Sequence, residues 1–91
     1  MANRFEQVDE LQADALNLVL SQTGEGQNGR VLIPASAMAG EGQKDIDSGE
    51  MPIVDAFRAA IQLGNEFKLA VVVIDPDRVW NPTWGEVFRE G

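Results

Sequence analysis

The sequence predicts a small single domain over 1–91 of the α/β (or α+β) class, and three features predict it. The run LAVVVI at 69–74 has no polar interruption, as in a strand covered on both faces. The segment 52–63 carries apolar residues at helical spacing and is followed by Gly64. An earlier apolar run, RVLIP at 30–34, precedes this helix across a long polar stretch. Strand, loop, helix and strand then make one βαβ unit whose strands, about 30–34 and 69–75, are expected to be parallel.

The first element reads as an N-terminal amphipathic helix reaching to about residue 22. Phe5, Val8, Leu11 or Gln12, Ala15, Leu18 and Val19 fall on one face, and Glu6, Asp9, Glu10 and Asp14 sit in the half of the helix where its dipole favours negative charge. A second reading makes LNLVLSQ a strand, because Leu16, Leu18 and Leu20 alternate, with Asn28-Gly29 turning a hairpin onto RVLIP. Gly24, Gly26 and Gly29 break the chain in either case. Residues 35–50, ASAMAGEGQKDIDSGE, read as a flexible polar loop.

The helix at 52–63 places Ile53/Val54, Phe57 and Ala60/Ile61 on one side, starts on a proline suited to a first turn, and has Gly64 where a terminating residue belongs. The tail DPDRVWNPTWGEVFREG supports two structures. Thr83-Trp84-Gly85-Glu86 fits a capping box that opens a short helix, whereas RVW and EVF around NPTWG suit a C-terminal hairpin. The hairpin is preferred, because a sheet of two strands is too small to cover two helices.

Composition narrows the chemistry. The chain has no cysteine, histidine or tyrosine, which removes disulfides, thiolate metal sites and the usual serine and zinc hydrolase mechanisms. Ser36 and Ser48 have only the solvated Lys44 nearby as a base, so a serine nucleophile is not expected. Fifteen acids against seven bases give a net charge of −8, with the bases spaced singly. Phosphate-backbone binding needs clustered cations, so neither nucleic acid nor an anionic membrane is an expected partner. The apolar runs are too short to span a bilayer, and the first residues carry acids where a signal peptide is apolar, so the chain reads as cytoplasmic.

The motif GEGQNG at 24–29 spells a dinucleotide-binding fingerprint, but that fingerprint works by leaving a strand and opening a helix. Here it enters a strand and carries Glu25 inside the would-be anion cradle. The letters GEGQ recur at 40–43 with unrelated flanks, and an EF-hand loop started at Asp45 finds Ala56 where its glutamate belongs. Neither motif carries a function.

Two candidate sites remain. If the two strands are parallel, Asp45 and Asp47 share a sheet end with Asp75 and Asp77, and four carboxylates there would hold Mg²⁺ for a phosphate-handling enzyme. Alternatively DIDSG and DPD are turns, and no cofactor is involved. The second candidate is a contact surface around Trp80 and Trp84, for a protein partner or a second copy in a homodimer, with Met38 beside the long loop either lining it or filling a gap. The tryptophans also suit closing the bottom of the core, the commoner arrangement for such a pair. The leading expectation is a small acidic protein-interaction or regulatory module without enzymatic activity, and the Mg-dependent enzyme is its alternative.

Overall fold

The computed structural model describes residues 4–38 and 44–88. In them a single helix packs on a mixed sheet of seven strands, so the α/β class and small single domain stand. The strands are β1 (Arg4–Gln7), β2 (Leu16–Thr23), β3 (Gly26–Ile33), β4 (Ile46–Asp47), β5 (Met51–Pro52), β6 (Val71–Ile74) and β7 (Glu86–Phe88), and the helix α1 is Ile53–Phe67. Their order is β4-β3-β2-β6-β1-β7, with β5 also pairing on β3. β1, β2, β6 and β7 are mutually parallel, and β3 runs against them.

The expected N-terminal helix is not formed; its residues are β1, a strap at 8–15 and β2. Alternation at Leu16, Leu18 and Leu20 wins over helical spacing because it buries all three leucines completely against Val31 and Ile33 of β3 and Val73 of β6. Local helix propensity amounts to tenths of a kcal/mol per residue, which that burial exceeds. β2 and β3 do form a hairpin, yet Thr23 pairs with Gly26, so the tip is Gly24-Glu25 and Asn28-Gly29 lies inside β3. The predicted pairing of 30–34 with 69–75 is corrected too: β2 separates β3 from β6, and the two run in opposite directions.

The described part of the 35–50 loop is structured. Ala35–Ala37 is a 3₁₀ turn, and the segment from β4 to β5 lies along the outer edge of β3. Where that pairing is interrupted, Ser48 fills the gap: its N–H donates to the Val31 carbonyl (3.0 Å) and its hydroxyl oxygen accepts from the Val31 N–H (3.0 Å). The second GEGQ, at 40–43, falls outside the described residues.

Pairing register sorts the side chains onto two faces. Phe5, Leu16, Leu18, Leu20, Val31, Ile33 and Val73 lie on the face that α1 covers with Ile53, Ala56 and Ala60. The helix sits unusually close. A Cβ at Gly29 would lie 2.6 Å from Cβ of Ala56, and one at Gly64 would lie 2.9 Å from Val71 Cγ2. Gly64 is therefore an interior contact residue, and α1 continues past the expected stop to Lys68, whose left-handed backbone (φ 57°) ends it. The Leu69 N–H closes the turn on the Gly64 carbonyl at 2.9 Å.

Strap and helix occupy opposite faces for a topological reason. The connection from β1 to β2 travels along the sheet in one direction, and the return through β3 and α1 to β6 travels in the other. Two crossovers of opposite travel can both be right-handed only on opposite faces. Asn17 holds the strap in that position. It is fully buried on the face away from α1, its Oδ1 accepts from the Gln12 N–H (2.7 Å), and its Nδ2 donates to the carbonyls of Gln12 (3.0 Å), Ala15 (3.2 Å) and Leu32 (3.4 Å). Ser36 adds a second tie, donating to the Ala13 carbonyl at 2.7 Å.

The tail is neither hairpin nor regular helix. Asn81 caps a 3₁₀ turn at Pro82–Trp84, and β7 then joins the sheet parallel to β1. A hairpin around NPTWG would have returned antiparallel, whereas this crossover passes beside α1 and reaches the far side of β1. Among the described residues no helix is long and apolar enough to cross a bilayer.

Two stability measurements follow from these contacts. Asn17→Leu keeps the side-chain branching in a somewhat larger volume and removes the amide, and should lower unfolding free energy in urea by about 2–3 kcal/mol; a loss below about 0.5 kcal/mol would show that the strap does not depend on Asn17. Gly29→Ala should cost about 1–3 kcal/mol by overpacking against Ala56. Gly24→Ala is the matched control, with nothing within 4 Å of its added Cβ, and should be close to neutral.

Candidate functional site

Four aromatic rings meet where the last crossover passes α1. Phe57 of α1 stacks face to face on Trp84, with centroids 4.5 Å apart and planes 8° from parallel. Trp80 meets Phe5, Phe57 and Trp84 edge-on at 5.3, 5.7 and 5.3 Å. Phe5 is buried, whereas Phe57, Trp80 and Trp84 keep part of their surface in water. The cluster therefore both closes the core and shows an apolar surface. Val54, one turn before Phe57 on the helix, extends that surface and is 45% exposed.

Asp75 positions both indoles. Its carboxylate accepts from the backbone N–H groups of Val79 (2.8 Å) and Trp80 (2.9 Å), which folds the chain after β6 back over the sheet. Trp80 then spends its indole N–H on the Gly85 carbonyl at 3.0 Å, and the 3₁₀ turn between them carries Trp84. Asp-Pro-Asp is thus a turn that aims aromatic rings.

At the carboxyl ends of β1 and β6 a cleft of about 380 Å³ lies beside the cluster, lined by Gln7, Asp75, Arg78, Trp80 and Val87. A larger one of about 530 Å³ opens at the other end of these strands, among Arg4, Phe5, Glu6, Asn65, Val71 and Phe88. The cation of the larger cleft is already engaged: Arg4 lies 3.7 Å from Glu86 and 4.7 Å from the centre of the Phe88 ring.

The four aspartates of the metal hypothesis are not brought together. β3 and β6 run in opposite directions, so the segment after β3 and the segment after β6 leave opposite ends of the sheet. Each carboxylate accepts from a backbone N–H instead. Asp45 accepts from the Ala35 N–H (2.7 Å), Asp47 from Gly49 (2.8 Å), Asp75 as described, and Asp77 from Gln22 (2.9 Å) at the hairpin end of β2. Asp47 also lies 3.3 Å from Arg30. Among the described residues no group of three or more acidic side chains is placed to hold a metal ion.

Met38 also departs from its expected role. It is 9% exposed and belongs to the core cluster, and it follows β3, which two strands separate from the β1 on which the tryptophans pack. Sequence reasoning missed Phe57 and Val54 as companions of the tryptophans, because their spacing on the helix shows only which side of it they share. Arg78 and Gln7 were missed as well, since nothing in their neighbours marks them as meeting in a cleft.

No protein family matches the chain, and neither the curated proteins nor the solved structures contain a match.

The separation of the aspartates gives a direct measurement. In an amide NMR spectrum, trace Mn²⁺ should broaden residues 45–47 and 75–77 to unrelated extents, without a shared saturation point that Mg²⁺ displaces. Joint, competitive broadening of both segments would require a geometry in which they converge.

Proposed function

We propose that this chain is a small protein-interaction module without enzymatic activity, and that its contact surface is the partly exposed ridge of Val54, Phe57, Trp84 and Trp80. One observation carries this reading: two tryptophans are held rigidly, by the Asp75 turn and the Trp80–Gly85 hydrogen bond, with part of their surface in water. Aromatic side chains fixed in place lose little entropy on binding and are the favoured anchors of protein interfaces. The net charge of −8 favours a partner with basic residues around an apolar centre, since complementary charge raises the rate of encounter. The phosphate-handling alternative needs carboxylates that converge, and the four it relies on serve separate turns.

Site-specific photocrosslinking tests the surface. A benzophenone amino acid at Val54 should give a discrete adduct in the source cells that Trp84→Ala abolishes, and the same probe at the exposed helix position Gln62 should not give it. An adduct at twice the chain mass would identify the partner as a second copy. Identical products at both positions, or none at Val54, would remove the ridge as a contact surface.

A further inference from the structure

We infer that the cleft at the carboxyl ends of β1 and β6 is a binding site for a small organic monocarboxylate with an apolar body. The cleft shares Trp80 with the proposed contact ridge, and its other lining residues lie outside that ridge.

In an open sheet of parallel strands, a crevice forms where adjacent strands send their following segments to opposite faces, because the departing chains leave the space between them empty. β1 and β6 are such a pair. The chain leaving β1 enters the strap, on the face of Asn17, and the chain leaving β6 enters the crossover that packs on Phe57, on the face of α1. The cleft of about 380 Å³ opens on the crossover's side of this point, where Gln7 ends β1, Asp75 follows β6 and Val87 of β7 shares the face of Phe5.

Its lining divides into apolar walls and polar groups with capacity to spare. Val87 and Trp80 form the walls, and the Trp80 ring has no free donor because its N–H is bound to Gly85. Among the described residues the Arg78 guanidinium has no ion pair and no hydrogen bond, and the Gln7 amide has no partner either. Arg78 is also held in the left-handed region (φ 56°), an uncommon conformation for its residue type, directly at the cleft.

A planar guanidinium that lacks a partner matches a carboxylate through two parallel hydrogen bonds. Gln7 supplies a further donor, and the indole and valine suit a flat or branched apolar body. Asp75 sets the charge of the ligand. Its carboxylate is fixed in the lining by two backbone N–H groups and repels any anion, a dianion such as a phosphate ester about twice as strongly as a monoanion.

The test is an amide NMR titration of the full chain with benzoate, indole-3-acetate and isovalerate, with benzylamine and phenyl phosphate as charge controls. At least one carboxylate should produce saturable shifts at Gln7, Val8, Arg78, Val79 and Trp80. Arg78→Gln, at an exposed position and checked for an unchanged circular dichroism spectrum, should weaken that binding about tenfold. Three results would each overturn the assignment: no saturable shift with any carboxylate up to about 10 mM, unchanged affinity in Arg78→Gln, or preference for benzylamine or phenyl phosphate. Shifts confined to the larger cleft around Arg4 and Phe88 would overturn it as well.

Discussion

The buried amide of Asn17 holds this architecture together. A strap that crosses a sheet without secondary structure brings backbone N–H and carbonyl groups into a partly dry place, where each must find a partner. Asn is the side chain that offers both a donor and an acceptor on one short stem, and Asn17 uses both ends at once. An aspartate would meet three carbonyls with a negative charge, and a leucine would meet them with nothing. The same amide reaches Leu32 on β3, so it ties the strap to the hairpin as well as to its own strand.

From that clamp follow the two faces of the sheet. With the first connection fixed on one side of the sheet, β6 can enter between β1 and β2 from the other, and α1 covers the leucine face alone. The helix approaches β3 and β6 closely because Gly29, Ala56 and Gly64 present no bulk where the elements meet. Phe57 is carried by that close docking to β1, where Phe5, Trp80 and Trp84 complete the cluster. The cleft and the aromatic ridge are thus products of the same crossover.

The acidic residues serve turns more than chemistry. Asp45, Asp47, Asp75 and Asp77 each accept a backbone N–H, which is the usual work of aspartate in turns and loops. Their distribution over both ends of the sheet keeps the negative charge diffuse. The surface ion pairs, Arg4–Glu86 and Arg30–Asp47, are exposed and add little to stability.

Composition and pattern by themselves determined the α/β class, the existence of α1, the buried strand at 71–74 and the Asp-Pro-Asp turn. These depend on local periodicity and on residues with strong conformational preferences, so neighbours along the chain suffice to express them. Only the tertiary structure decided the rest. The helical face at 5–19 overlaps the alternation of Leu16, Leu18 and Leu20, and the choice fell to β2 because β3 and β6 offered those leucines complete burial. Gly64 reads as a helix stop until Val71 is known to lie against it, and Met38 reads as a surface residue until the core closes over it. Strand direction was decided in the same way: the reversal at Gly24-Glu25 turned β3 against β6 and sent the four aspartates to opposite ends. Which strands become neighbours is a property of long-range pairing, and no local pattern encodes it.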